Sequence, residues 1–237
     1  LVAGDYEKRT LPTKRVPLEV FVPKRFVGDI DRSFGQTDRM MTFFEELTGV
    51  PYPYEKYAQS VVTDFLFGGM ENITATTLTD RTMHDERGHL DYQSEPLVAH
   101  ELAHQWYGDL ITCKSWAHLW LNEGFASYLE LLYMEATDGK DAFDHDRFGG
   151  LGWYKSAGYT RPMDEHSYVH ADDLFDGHTY IKGAWILHML RVKLGDRLFK
   201  KAVRHYTKKH ANGLVESEDL RQAFEEASGF QLQSFFE

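Results

Sequence analysis

The sequence contains very little cysteine. Cys113 is the only one among 237 residues, so an internal disulfide is excluded. We therefore expect a fold that does not depend on oxidation, which favours a reducing compartment such as the cytoplasm. No apolar run approaches the roughly 18–20 residues of a membrane span, and no signal peptide is visible. The chain begins with leucine rather than methionine, so we interpret it as a fragment that could have lost a leader.

Positive charge is also scarce. The 26 lysines and arginines are outnumbered by 37 acidic residues, which gives a formal net charge of −11. A nucleic-acid-binding surface needs a basic stripe, so this balance argues against nucleic acid as a partner. It permits cationic ligands. The length and the 42% hydrophobic content suffice for one large domain or two lobes with a real core.

The order of the predicted elements indicates an α+β fold. Strand-like segments lie in the first third of the chain, at 18–23, 59–65 and 72–78. Helical periodicity dominates after Ser94, whereas the glycine-containing segment 140–178 is predicted to be irregular. We therefore predict a small mixed β-sheet lobe followed by a mainly helical lobe. The predicted helices cover 37–47, 95–107, 119–136, 180–194, 196–210 and 217–228.

The motif HELAH, residues 100–104, carries the strongest chemical signal. Helix positions four apart share one face, so His100 and His104 can direct two imidazoles at one metal ion. Glu101 is turned about 100° away and would lie beside the ion. That arrangement is typical of a zinc site in which an acid next to the bound water acts as general base.

A catalytic zinc ion with two histidine ligands needs a third protein ligand and an open position. Glu123, in LNEGFASYLE, lies near the start of the next predicted helix, and the turn at Gly108 lets that helix fold back. Glu123 is therefore a candidate third ligand. The alternative is an ordinary acid in the first turn of a helix, where the helix dipole favours negative charge.

A second feature is FLFGGMENIT, residues 65–74, where two glycines and an acid interrupt two β-prone runs. GGMEN at 68–72 is followed by 27 residues, then HELAH, then 18 residues, then Glu123, and later TYIKGAW at 179–185. These motifs, in this order, resemble the aminopeptidase N and leukotriene hydrolase family of gluzincin metallopeptidases. The resemblance covers nearly the whole chain. It implies a thermolysin-like catalytic domain over residues 1–237, with the zinc site between the β-sheet lobe and the helical lobe.

The resemblance implies a role for each motif. The ligands of one zinc ion would be His100, His104 and Glu123, and Glu101 would be the general base. Tyr180 would donate a hydrogen bond to the developing oxyanion. In GGMEN, Glu71 would bind the free α-ammonium group of a peptide substrate. The remaining substrate-binding residues of this motif would be Gly68, Gly69, Met70 and Asn72, with the glycines allowing the peptide to approach as an added strand.

Several further residues have weaker assignments. Glu130, two helical turns after Glu123, resembles a family acid that could orient a metal ligand, and Asp109 is a similar candidate. His118, His178 and His188 match no ligand spacing and are interpreted as structural or solvent-facing. Complete family members carry an N-terminal β-domain, whose last strand could be represented by residues 1–5. They also carry a C-terminal helical domain, which could begin at residues 231–237.

Four possible functions, three enzymatic and one non-catalytic, remain open at this point. A zinc aminopeptidase acting on peptides with a free N-terminus agrees with all the motifs. An epoxide hydrolase of the leukotriene type shares the metal site but needs a lipid tunnel. A non-catalytic scaffold would be expected to have lost ligands, and here all are present. An endopeptidase is disfavoured because Glu71 would block the subsites beyond the N-terminus. Side-chain specificity cannot be assigned from these motifs.

Overall fold

The computed structural model describes residues 2–237, which form a mixed β-sheet lobe followed by a helical lobe. This arrangement confirms the predicted α+β class. The strands are β1 (Tyr6–Leu11), β2 (Leu18–Pro23), β3 (Tyr57–Val62), β4 (Gly69–Met70), β5 (Ala75–Thr79), β6 (Ile111–Cys113) and β7 (Gly213–Val215). The helices are α1 (Ile30–Phe34), α2 (Thr37–Thr48), α3 (Glu95–Ala103), α4 (Trp120–Asp138), α5 (Lys140–Ala157), α6 (Gly183–Leu194), α7 (Asp196–His210), α8 (Ser217–Ser228) and α9 (Gln233–Phe236).

The main sheet has the strand order β1-β2-β3-β5-β4. Strands β2, β3 and β5 are parallel, whereas β1 and β4 run antiparallel to their neighbours. The alternating residues Leu18, Val20 and Val22 are buried, as the pattern of β2 predicts. The short strand β4 lies at the end of the sheet, and its outer edge has no strand neighbour among residues 2–237. Helix α3 of the helical lobe lies against β4.

The helical lobe is organised around α4, most of which is buried. Helices α3, α5 and α6 pack against α4, while α7 and α8 pack against each other. Three aromatic side chains, Trp106, Phe125 and Tyr206, are completely buried in this core. Such an interior is close-packed, so it holds the residues on α3 and α4 in fixed relative positions.

Two predictions about the helices were wrong. Segment 140–178 is not irregular throughout, because α5 occupies its first half and only the part after Gly158 lacks long helices. The glycines within α5 lower its intrinsic helix propensity, but packing against α4 compensates. Helix α3 is also shorter than predicted. It ends at Ala103, and His104 begins a series of tighter turns.

The two ends of the described chain, residues 2–5 and 231–237, differ in secondary structure. Leu1 lies outside the described residues, residues 2–5 form no strand, and the first strand, β1, belongs to the main sheet. At the other end, residues 233–236 form a short helix, as the pattern of 231–237 indicates. Within the described part of the chain, none of the helices has both the length and the apolar character that crossing a bilayer requires.

Candidate metal and peptide site

The polar cluster at the centre of the site joins α3 to α4. His100 lies on α3, His104 caps its C-terminal end, and Glu123 lies in the first turn of α4. The Nε2 atoms of the two histidines are 3.2 Å apart. Oε2 of Glu123 lies 3.3 Å from Nε2 of His100 and 3.1 Å from Nε2 of His104. The fold thus brings together all three residues that the sequence nominated as metal ligands.

The spacing of these three atoms fits a small divalent cation. Ligands at about 2.0–2.1 Å from a tetrahedral zinc ion lie about 3.3–3.4 Å from one another, close to the separations in this triangle. His104 and Glu123 are almost fully buried, and His100 is partly buried. Two imidazoles and one carboxylate are a donor set that suits zinc, so the residues present fit the ion that the motif implies.

The outer nitrogen of each imidazole has its own partner. Nδ1 of His104 lies 2.8 Å from the backbone oxygen of Tyr107, to which it can donate its hydrogen. Nδ1 of His100 lies 3.2 Å from Oε2 of Glu130. Such contacts fix the tautomer and leave both Nε2 atoms free to bind a metal. The geometry therefore supports the weaker sequence assignment of Glu130 as a residue that orients a ligand.

Ionisation in this cluster follows from burial and from the neighbouring charges. Burial acts to lower the pKa of His104, but the Glu123 carboxylate outweighs it and raises that pKa to about 9. Burial acts to raise the pKa of Glu123, yet the two histidines hold it well below its usual value. The cluster is thus an ion-paired set in which a cation would replace protons on the imidazoles.

Glu101 is buried beside the triangle and does not belong to it. Burial is the main reason that the pKa of its carboxyl is raised to about 7, with contributions from the negative charges of Glu71 and Glu123. Its Oε2 atom has no hydrogen-bond partner among the described residues. A buried carboxyl oxygen without a partner is suited to meet a water molecule or a substrate group.

Two glycines explain how α4 and α6 approach closely enough to complete the site. A Cβ atom on Gly124 would lie 2.9 Å from Gly183, and the reverse contact would be equally short. The two backbones therefore cross in direct contact. Gly124 follows Glu123, and Gly183 lies three residues after Tyr180, so this crossing brings the candidate ligand and the candidate oxyanion donor together.

Tyr180 lies on a π-helical turn, His178–Lys182, that precedes α6. Its ring stacks on that of His100, with the ring centroids 5.9 Å apart. Burial and the charge of Glu123 raise the pKa of Tyr180 far above its usual value, so the phenol keeps its hydrogen. Helices with π-turns often carry functional residues, because the extra residue redirects a side chain.

An ion pair between Arg161 and Asp176 supports the turn that carries Tyr180. Arg161 donates hydrogen bonds to Asp176 (2.7 Å) and to the hydroxyl of Thr179 (2.8 Å). The same carboxylate accepts hydrogen bonds at 3.0 Å from the backbone N–H groups of His178 and Thr179. Sequence reasoning missed this contact, because Arg161 lies in a segment without periodic pattern and its partner is 15 residues away.

The GGMEN segment supplies the other wall of the site. Gly69 and Met70 form β4, which pairs with Leu78 and Thr77 of β5. Glu71 follows at once and is half-buried. Its negative charge contributes to the raised pKa of Glu101, because Glu71 lies near that carboxyl. Asn72 is exposed, and its amide makes only long contacts with Met70 and Thr77, at 3.5 and 3.4 Å.

The two glycines of this motif lie against side chains of α3, and the packing is much tighter at Gly69 than at Gly68. A Cβ atom on Gly69 would overlap the carboxyl group of Glu101, and one on Gly68 would lie 3.3 Å from the Leu97 side chain. Their φ angles are not positive, so turn geometry does not demand glycine there. The backbone of β4 thus passes directly over the candidate general base, which the sequence alone did not reveal.

The remaining polar candidates lie outside the triangle. Asp109 does not reach it and accepts a hydrogen bond from the Gln105 side chain at 2.7 Å. The three histidines interpreted as structural make other contacts: His118 with Asp164, His178 with Tyr154 and His188 with Tyr128. The sequence reasoning overlooked Gln105 itself, which is completely buried. Its position directly after HELAH was the available signal.

Comparison with known proteins agrees with this geometry. The peptidase family M1 domain matches residues 32–237. Aminopeptidase N of Streptomyces lividans is 35% identical over an alignment of 248 positions. The alignment covers 99% of this chain and 28% of that protein. The crystal structure of the M1 zinc metallopeptidase from Deinococcus radiodurans superimposes with a TM-score of 0.76 at 30% identity, covering 95% of this chain and 49% of that one.

A further solved structure, a variant of a two-domain M1 zinc metallopeptidase bound to L-arginine, gives a TM-score of 0.76 at 28% identity. It covers 99% of this chain and 52% of that one. The chain spans about a quarter of the length of the curated relatives it matches, between 23% and 28% for the first two. The match to the family domain extends over most of the sequence, and the chain therefore belongs to peptidase family M1.

Proposed function

We propose that this chain carries the catalytic site of a zinc-dependent aminopeptidase, which releases the N-terminal residue from peptides. The observation that carries the proposal is the convergence of two features. The first is the metal-sized triangle of His100, His104 and Glu123. The second is the edge strand β4, which passes over Glu101 beside the triangle and is followed directly by an acid, Glu71. The relatives named as aminopeptidases and as a zinc metallopeptidase support the same reading.

His100, His104 and Glu123 would hold the zinc ion, which when bound would supply Lewis acidity toward the scissile carbonyl and a lowered pKa, about 7, for a water molecule. The carboxyl of Glu101 would take the proton from the attacking water at its unpartnered Oε2 and deliver a proton to the leaving amine. Burial raises the pKa of this carboxyl above its ordinary value, which suits a group that takes up and then releases a proton. Tyr180, held in its protonated form, would donate its hydrogen to the carbonyl oxygen as charge develops there.

Recognition would come from the sheet edge. The outer side of β4 offers backbone N–H and C=O groups to which an extended peptide can add as a further strand. Glu71, one residue beyond β4, would bind the α-ammonium group and so fix the N-terminus of the peptide at the metal. The L-arginine bound by one structural relative is a ligand with such an ammonium group.

The proposal is tested with aminoacyl anilides and their N-acetylated counterparts. We expect hydrolysis of the free forms only, loss of activity with a chelator, and recovery when zinc is restored. Equal hydrolysis of acetylated substrates would contradict recognition of the amino group and favour an endopeptidase. Turnover of a lipid epoxide in place of the anilides would favour the epoxide hydrolase. Absence of stoichiometric zinc after loading would favour a non-catalytic scaffold.

A further inference from the structure

Gln105 connects the metal-binding helix to the loop that carries Glu71. It follows His104 directly, and its side chain is completely buried. The amide nitrogen Nε2 donates two hydrogen bonds, at 2.9 Å to the backbone oxygen of Glu71 and at 2.7 Å to Oδ2 of Asp109. The amide oxygen accepts the backbone N–H of Thr74 at 2.9 Å. A buried amide whose groups are all satisfied has a single stable placement.

The partners of Gln105 also fix which way its amide faces. Nε2 faces two acceptors, the Glu71 carbonyl and the Asp109 carboxylate, whereas Oε1 faces a backbone N–H. The hydroxyl of Tyr52 lies 3.1 Å from Oε1 and shares its one hydrogen between this atom and the backbone oxygen of Lys56. A flipped amide would oppose its oxygen to the Glu71 carbonyl and its nitrogen to the Thr74 N–H. The network therefore specifies glutamine rather than any polar residue of that size.

The loop held by Gln105 has an unfavourable backbone conformation. Thr74 has a φ of 63°, in the left-handed region that a β-branched residue rarely adopts. Such a conformation persists only where the surroundings enforce it. Gln105 binds the backbone at both ends of the segment from Glu71 to Thr74, while the Asn72 side chain between them makes only long contacts. The amide is thus the main side-chain anchor of this segment.

From these contacts we propose that Gln105 is a positioning residue, which holds Glu71 at the distance from the metal ligands that recognition of a substrate's α-ammonium group requires. This inference rests on the proposed function. Gln105 is adjacent to His104 in the chain and hydrogen-bonded to the backbone of Glu71, so one rigid side chain links the two binding elements. Neither contact involves the substrate, so Gln105 acts through Glu71.

The test compares two metal-binding inhibitors that differ only in the amino group. These are an amino-acid hydroxamate and its des-amino analogue, measured against zinc-loaded wild type and Gln105→Glu. A carboxylate at this position would lose the hydrogen bonds that the amide donates to the Glu71 carbonyl and to Asp109, and would repel the Glu71 carbonyl. We expect the preference for the amino form to fall roughly tenfold to hundredfold, because a misplacement of about 1 Å can cost a factor of about 10². Affinity for the des-amino form and zinc content should not change.

Two additional measurements keep the result interpretable. Gln231→Glu makes the same substitution at an exposed position and should leave both affinities unchanged. In the metal-free protein, Gln105→Met, which removes the acceptor of the Thr74 N–H, should accelerate hydrogen exchange at that amide. If Gln105→Glu does not fold, Gln105→Met preserves the volume without adding charge and carries the same comparison.

The outcomes separate this inference from the proposed function. A wild-type protein without preference for the amino form would overturn the proposed function and this inference with it. A wild-type preference that both Gln105 variants retain would overturn the inference alone. The inference would also be overturned if the Gln105 variants bound both inhibitors equally more weakly and lost zinc. That result would show that Gln105 supports the fold in general and does not position Glu71.

Discussion

The site has two walls. The metal wall consists of the residues on α3 and α4 around the His100, His104 and Glu123 triangle, and the edge wall consists of β4 and the segments on either side of it. The two walls differ in how firmly they are held. On the metal side, Glu101, His104 and Glu123 are at most 5% exposed, and the imidazoles have partners on both ring nitrogens. On the sheet-edge side, Leu66 is 86% exposed and Phe67 62% exposed. That side is anchored mainly by its pairing with β5 and by the Gln105 amide.

The difference corresponds to two physical requirements. Charged ligands that must bind one cation need a fixed, water-poor setting, because electrostatic interactions are strong there and misplacement is costly. A surface that pairs with a peptide strand must leave its backbone groups accessible. We therefore expect substitutions in the metal wall to alter metal content or chemistry, and substitutions at the edge to alter substrate choice. The following predictions test this division in order of expected effect.

The largest effect is expected for Glu123→Gln. Removing the charged ligand should lower zinc affinity more than the roughly 10–100-fold typical of residues outside the ligand set, and abolish turnover. Two quantities are measured: the zinc content after dialysis and the rate of anilide hydrolysis. Asp138→Asn, an exposed acid of the same helix, is the matched control and should behave as wild type. Full zinc content in Glu123→Gln would exclude Glu123 as a ligand.

Glu101→Gln should separate chemistry from metal binding. We expect kcat to fall about 10²–10⁴-fold, the usual contribution of a general base, because an amide cannot accept the proton. Zinc content should stay at the wild-type level, since Glu101 lies beside the triangle and not in it. If zinc content fell as far as activity, the assignment of Glu101 as general base would be wrong.

Glu71→Gln tests the edge wall. A hydrogen bond to a charged group contributes about 1.5–3 kcal/mol, so kcat/KM for free anilides should fall roughly 10–100-fold. Zinc content should not change, and the remaining activity should discriminate less between free and acetylated substrates. Glu86→Gln, at an exposed position outside the site, is the control. Loss of zinc in Glu71→Gln would show that the two walls are not separable as described.

The smallest effect is expected for Glu130→Gln. The amide keeps an oxygen that can accept a hydrogen bond from Nδ1 of His100, but the negative charge is lost. We expect the zinc affinity of this variant to be lower than that of wild type by about tenfold or less. The zinc affinity of Glu130→Ala should be lower still, within the roughly 10–100-fold range. Competition with a chromogenic chelator measures both. Identical affinities for the two variants and wild type would show that Glu130 does not orient His100.

Local patterns predicted much of this fold. The helices over 37–47, 119–136, 196–210 and 217–228 agree with the structure within about two residues, because their apolar periodicity and terminal glycines act locally. Helix α5 was missed because its glycines suggest a loop and its stability comes from contact with α4. Strands β6 and β7 were missed because three-residue strands have no pattern of their own and form by pairing across about 100 residues.

Covalent order alone identifies the candidate chemical groups. HELAH on a helix, the acid of LNEG and the acid of GGMEN specify the donor atoms, since their types and local spacings are set by covalent order. How these groups are held together depends on contacts that form only in the folded chain. The Gly124–Gly183 crossing, the passage of Gly69 over Glu101 and the Gln105 bridge to Glu71 join residues far apart in the chain. Such contacts depend on close packing and on satisfying buried polar groups, which are properties of the assembled core.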